Sequence, residues 1–485
     1  MKPSSARKIF VNFSFLTIGK VLGDIFIFVL FVVLSRKFGK ESIGQYSFAM
    51  ALTGFFAIFS AFGFYHFTIK EINNRIESFS SFFGRVFSSR LILSIIALGV
   101  LLLVLPFLPF TAETTFIIAL IGVYQLFSRL FDGCLAAFIA HEDMHFAALL
   151  EVSFKCAIAS AAIIISMKTV RFLLVIGTLP TVSFAFIFLA YYLVKWNYGS
   201  PKLTMSLFKL TGIIRKASPY AISAFLMNLY SRFSVVLLGF LLGTVEAGAY
   251  NVAYRFIIVI MIIPQLAADS IFPSAARLYV YSIKDFAIFY TRVMNFLIII
   301  GLPAAAGLSL IAPDLVRLIF GQAFAQSALV LRLLAALLFL GSFNPVLGVF
   351  LMSCGRAVER MKCHSVTSIF SIFANLILIP AMGIMGAATA AVISEAFLLF
   401  LFMITLRDVA GLPMVVSRLI ISCIGTASFC LVFAFFSLSS LYLMIPASVL
   451  IYTGILALFK QIRNEEIRFV IDSLRKAPTN MKPSV

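Results

Sequence analysis

Apolar runs of about twenty residues recur from one end of this chain to the other, each long enough for a helix to cross the hydrocarbon of a bilayer. In that medium every backbone N–H and C=O must be satisfied within the protein, so runs of this kind fold as helices. With 62% hydrophobic and 12% charged residues and a mean hydropathy of +1.09, the 485 residues exceed what an ordinary soluble core absorbs. The expected fold is an all-α polytopic membrane protein of about fourteen transmembrane helices.

Windows of span length start near Phe10, Ile43, Arg85, Thr114, Ala147 and Arg171, then near Tyr220, Val245, Ala287, Ser327, His364 and Gly386, and finally near Pro413 and Leu441. This parse gives an N-lobe at 1–194 (spans 1–6), a cytoplasmic amphipathic linker at 195–219 and a C-lobe at 220–408 (spans 7–12). Two further spans at 409–460 and a cytoplasmic tail at 461–485 complete it.

The net charge of +19 would suggest nucleic acid in a soluble domain. Here the basic residues punctuate apolar runs, so topology explains them and no nucleic-acid partner is expected. Alternate connections carry Lys2, Arg7 and Lys8; Lys70, Arg75, Arg85 and Arg90; and Lys195, Lys202, Lys209, Arg215 and Lys216. On the same side follow Arg277, Lys284 and Arg292, Arg356, Arg360 and Lys362, Arg407 and Arg418, and the basic tail. The opposite connections hold only Arg36, Lys37, Lys40, Lys168, Arg171 and Arg317. That bias places both termini in the cytoplasm. The turn His141-Glu142-Asp143 is predicted cytoplasmic without a Lys or Arg of its own.

Between spans six and seven, MSLFKLTGIIRKASP interleaves apolar and basic residues and reads either as a helix on the anionic leaflet or as a plain solvated linker. Trp196 sits where an interfacial aromatic belt would lie. The six cysteines lack metal-ligand spacing and read as small buried hydrophobes. The first run is too long and too charged for a cleavable signal and is expected to stay as an anchor.

That first run contains two charges a bilayer rejects, Lys20 and Asp24, one helical turn apart. Each would cost about 2.5–3.5 kcal/mol at mid-bilayer, so partial mutual neutralisation and a protein interior or wet cavity on that face are expected. Gly19 and Gly23 form a small-xxx-small pair that admits a close neighbour.

Two stretches repeat. FGKESIGQYSFAMA joins spans one and two, LLGTVEAGAYNVAYRF joins seven and eight, and Gly39, Glu41, Gly44 and Tyr46 match Gly243, Glu246, Gly248 and Tyr250 after a one-residue gap. Six-helix copies cross in the same direction, which predicts two six-helix lobes with pseudo-twofold symmetry about the membrane normal, plus two C-terminal helices. A central cavity is expected between them.

With LSRKFGKESIGQYSFAMALTGFFAIFSAFGF, IKEINNR and GAYNVAYRF in view, the chain resembles the oligosaccharide flippases of the polysaccharide-synthesis branch of the multidrug/oligosaccharidyl-lipid/polysaccharide superfamily. The resemblance implies an alternating-access transporter in the cell inner membrane that turns an undecaprenyl-diphosphate-linked oligosaccharide across it. Its product would serve a surface polymer such as an O-antigen or exopolysaccharide, with polysaccharide polymerase machinery as a partner. The GKVLGD segment is also similar to the first helix of the lipid II flippases, where a basic residue stands in the place of Lys20. Asp24 departs from the basic character expected a turn later.

A diphosphate drawn into low dielectric requires cationic partners. Lys20, Arg232 and Arg255 fall near mid-depth and are the expected substrate-binding residues. Arg129 can pair with Asp132, and Lys155 with Glu151, at helical spacing. Asp24 and Glu395 are the candidates for proton or sodium coupling, although Glu395 equally suits a helix–helix hydrogen bond. Asn228 and Asn375 are placed either to bond sugar hydroxyls or to bond between helices. His66 reads as interfacial. Pro180, Pro264, Pro303 and Pro345 fall within spans as moving or static kinks.

The chain lacks a Walker A loop, a metal-binding HExxH and a Ser-His-Asp grouping, so no enzyme activity, cofactor or metal is expected. The alternatives are a multidrug and toxin extruder, favoured by Asp24 and disfavoured by Arg232 and Arg255, and a lipid II flippase. A polymerase or glycosyltransferase would need larger outer loops.

Overall fold

The computed structural model describes residues 3–73, 78–204, 207–411 and 416–435. Thirteen α-helices account for most of them. In order they are α1 (Pro3–Ala61), α2 (Phe64–Asn73), α3 (Phe79–Val104), α4 (Ala112–Ala140), α5 (Met144–Lys168), α6 (Phe172–Tyr198) and α7 (Leu207–Leu241). Then come α8 (Thr244–Ile260), α9 (Ile262–Tyr281), α10 (Ile283–Phe320), α11 (Gln326–Ser353), α12 (Ala357–Ala410) and α13 (Val416–Phe435). No strand occurs among the described residues.

Nine helical stretches among the described residues are long and apolar enough to cross a membrane. Two of them, α1 and α12, hold two spans each, because Gly39 (φ 74°) and Gly383 (φ 60°) turn the chain inside them. Such angles are open to glycine and strained for other residues. Gly243, the repeat partner of Gly39, adopts the same left-handed region with φ 98°. Conversely, α8 and α9 together make one span, interrupted at Met261. Pro264 has no N–H for the carbonyl of Ile260, and its ring crowds that carbonyl. The expected span from Leu441 and the tail at 461–485 lie outside the described residues, as does Pro413.

Met1–Asn251 and Val252–Val485 form two compact units, divided within α8. In the first, α4 packs on α1, α3, α5 and α6. Leu207 onward, including the basic amphipathic run, forms the opening turns of α7, with Ile213 and Ala217 buried against Phe64 and Phe67 of α2 and Phe82 and Val86 of α3. Residues 199–204 lie along α3: the Lys202 N–H donates to the Ser80 carbonyl at 2.9 Å, and the Thr204 N–H to Ser88 Oγ at 3.1 Å.

The His141-Glu142-Asp143 turn is held at this same end. His141 stacks on Tyr198 with centroids 3.9 Å apart, and the Tyr198 hydroxyl donates to Asp143. The turn therefore shares its end of the unit with the α6 carboxyl terminus, where Lys195 and Lys202 supply the basic charge it lacks.

The opposite end of the first unit is closed by the two repeated turns packed backbone to backbone. A Cβ on Gly44 would lie 2.4 Å from the Thr244 carbonyl oxygen, and one on Gly248 2.6 Å from Gly44 Cα. In the second unit α11 is packed on α9, α10 and α12 and carries buried residues on every face. From Gly341 it is apolar nearly all round, as an interior helix is, while Leu329 and Arg332 nearer its start are exposed. Phe350 anchors it, with Phe286 and Tyr290 edge-on at 5.4 and 5.2 Å.

Gly44→Ala should lower stability by about 1–3 kcal/mol, since backbone blocks the added methyl. Gly99→Ala, with nothing within 4 Å of the new Cβ, should be neutral or stabilising. Thermal unfolding of the purified variants in detergent checks both.

Candidate functional site

The intramembrane charges of the first unit are organised around Lys155. Gly19 packs on Ala148, and Gly23 faces the Lys155 stem, where a Cβ would lie 2.5 Å from Lys155 Cδ. The small-xxx-small pair thus lets α5 press against α1 and delivers the ammonium. Lys155 Nζ donates to Asp24 Oδ1 and to Glu151 Oε1, each at 2.8 Å. The Glu151–Lys155 pair is the one the spacing predicts, while the bond to Asp24 joins residues far apart in sequence.

This arrangement changes the expected partnership within the first span. Among the described residues no hydrogen bond or ion pair reaches the Lys20 side chain, and Lys20 is exposed. A Lys four residues before an acid is the weaker orientation for a helical pair, and the Asp24 carboxylate is taken by Lys155 instead. Lys20 keeps its three donors available.

A second group adjoins the first. Arg129 Nη1 lies 3.1 Å from Asp132 Oδ2, the pairing that i,i+3 spacing predicts, and Nη2 donates to Gln125 Oε1 at 3.4 Å. Asp132 is within electrostatic reach of Arg90, Glu151 and Lys155 as well. Arg90 is a correction to the loop-charge reading. It is 2% exposed and fills the space above Gly133, with no hydrogen-bond partner at Nε or Nη1 among the described residues. The cause is helix length: α3 starts at Phe79 rather than near Arg85, which carries Arg90 about 16 Å into the helix. The serines of RVFSSRLILS, which make a small, polar face there, were the available signal.

Arg232 on α7 donates from Nη1 to the Met50 carbonyl at 2.9 Å and occupies the space over Gly54. Lys20 and Arg232 belong to the first unit, and the half-buried Arg255 on α8 to the second. Glu395 on α12 accepts a hydrogen bond from Asn344 on α11, and Tyr254 on α8 is within its electrostatic reach. The sequence reading passed over Asn344, which sits in the largely apolar second half of α11 and is 8% exposed. Asn375 is a second correction: its Nδ2 donates to the Ser371 carbonyl at 2.7 Å within its own helix, and the residue is fully buried. The side chains of Asn228 and His66 lie outside the described residues. Among the described residues no cluster of His, Cys, Asp and Glu is arranged to hold a metal ion.

Residues 9–279 match the family described as Polysaccharide biosynthesis protein. The chain is 25% identical over 396 residues to the probable low-salt glycan biosynthesis flippase Agl15 of Haloferax volcanii, covering 79% of this chain and 80% of that one. It is 27% identical over 205 residues to the lipopolysaccharide biosynthesis protein WzxC of Escherichia coli K12, covering 41% and 39% of the two chains. Its fold is similar to the lipid II flippase MurJ in an inward closed conformation, with a TM-score of 0.75 over 92% of this chain and 98% of that one, at 11% identity. An inward-facing multidrug resistance MATE family transporter matches with a TM-score of 0.59, over 80% and 95% of the two chains at 16% identity. At such identities the likeness to solved structures concerns the fold.

Lys155→Met should destabilise the protein by about 1–2 kcal/mol, less than a fully buried pair because the three side chains remain partly exposed. Adding Asp24→Asn and Glu151→Gln should restore most of the loss. Thermal midpoints of the single and triple variants test this.

Proposed function

The chain belongs to the polysaccharide biosynthesis protein family, and on that premise we propose that it is a flippase that turns an undecaprenyl-diphosphate-linked oligosaccharide across the inner membrane by alternating access. The observation that carries this reading is Lys20, an ammonium inside a span-length apolar run whose neighbouring acid is held by another cation. The relatives named as a glycan flippase and a lipopolysaccharide protein support the substrate class.

In this proposal Lys20, Arg232 and Arg255 receive the diphosphate. An anion loses its hydration on entering low dielectric, and charge-assisted hydrogen bonds from Lys and Arg replace it. Asp24 and Glu395 take the coupling role, for a proton or sodium ion. Their neighbours Lys155 and Asn344 hold each carboxylate in place, so that a change of charge there alters helix contacts. The loop-charge bias supports cytoplasmic termini, and a polymerase would take over the product. The extrusion of organic cations is the weaker reading, because Asp24 is already engaged by an ammonium.

Loss of the gene should strand lipid-linked oligosaccharide on the cytoplasmic leaflet. Lys20→Ala, Arg232→Ala and Arg255→Ala should each lower transport about tenfold, the equivalent of about 1.4 kcal/mol, while Arg232→Lys retains part of it. Transport of the accumulated glycolipid in proteoliposomes measures this; full rates in all three alanine variants would remove the diphosphate reading.

A further inference from the structure

The positive-inside bias works against Lys and Arg in short outer connections, yet most of those this chain places there gather at one end of the first unit. Lys37 and Lys40 flank the Gly39 bend of α1, with Arg36 beside them, and Lys168 and Arg171 flank the α5–α6 turn. Packing brings the two segments together. The rings of Phe38 and Phe172 meet at 5.1 Å, and Lys37 Nζ donates to the Ser166 carbonyl.

Lys37, Lys40, Lys168 and Arg171 are all exposed, and among the described residues none is paired with a carboxylate. The local acid is Glu41. Like charges held this close repel one another, and a bound anion relieves that repulsion.

The apolar surroundings indicate what kind of anion. Between and beside the cations, Met167 is 75% and Val170 85% exposed, and Leu174 one turn further on is 55% exposed. Apolar side chains directed outward alternate with cations over a single turn. That is the pattern of a surface seated at the boundary of acyl chains and headgroups, with the apolar groups in the chains and the cations at phosphate level. A soluble acidic partner would leave Met167 and Val170 without cover. Lys37, fixed by Ser166 and lying 5.7 Å over the Phe38 ring, still has two N–H donors to offer.

We propose that Lys37, Lys40, Lys168 and Arg171 form a binding surface for the phosphate headgroup of an anionic phospholipid in the adjacent leaflet, the outer one on the loop-charge reading. The surface is separate from the residues assigned to the transported substrate, and the proposal stands whether or not that assignment holds. Anionic lipid bound there would clamp the α1 bend to the α5–α6 turn.

The full chain, purified in mild detergent and titrated with equal amounts of phosphatidylglycerol and phosphatidylcholine, tests this by native mass spectrometry of the lipids retained. The wild type should retain phosphatidylglycerol about fivefold or more over phosphatidylcholine. A Lys37→Gln/Lys40→Gln/Lys168→Gln/Arg171→Gln variant should lose most of that preference, and Lys168→Gln/Arg171→Gln, which leaves the Lys37–Ser166 contact intact, part of it. Neutralising the exposed Lys284, Arg317, Lys362 and Arg407 to Gln should leave the preference in place. No preference in the wild type, or a preference that survives the two-residue variant unchanged, overturns the proposal. Displacement of phosphatidylglycerol by undecaprenyl diphosphate at equal or lower concentration overturns it too, by assigning the surface to the transported lipid.

Discussion

Lys155 carries one positive charge between two carboxylates within span-length apolar helices, where all three side chains are only partly exposed. Without it, Asp24 and Glu151 would face each other across α1 and α5, and the helices could not approach as closely as Gly19 and Gly23 allow. With it, Asp24 is occupied, and the ammonium a turn earlier at Lys20 is left over. The availability of Lys20 is thus a consequence of a contact made on the far side of Asp24. Asp132, Arg129 and Arg90 extend the network into α4 and α3, so that a change at one carboxylate is felt by several helices.

In the second unit a neutral side chain reaches an acid of α12. Glu395 accepts a hydrogen bond from an amide, that of Asn344. A neutral donor stabilises a carboxylate less than an ammonium does and suits its protonated form nearly as well. The two acids assigned to coupling therefore differ in one donor, an ammonium at Asp24 and an amide at Glu395.

Features set by local spacing were legible in the sequence. The apolar runs gave the helices, the turns at Gly39 and Gly243 could be matched to each other, and the pairs Arg129–Asp132 and Glu151–Lys155 follow from a helical period. Contacts between distant segments were not legible. Nothing local joins Asp24 to Lys155, or Asn344 to Glu395, and Tyr198 gives no sign in its own helix that it holds the turn at Asp143. Arg90 was misplaced for a related reason: hydropathy marks the apolar stretch, whereas the helix starts two turns earlier, and depth is counted from the helix. Asn375 was open to two readings because a side chain that bonds back to its own helix has the same composition signal as one that bonds outward.

Gly44 and Gly248 meet through main-chain atoms alone. Interlocked side chains must leave their rotamer wells before two helices can roll past each other, which is why packed interfaces switch between discrete arrangements. A seam of bare backbone has no teeth to disengage. A shift of α1 against the start of α8 would therefore unseat no side chain at this point.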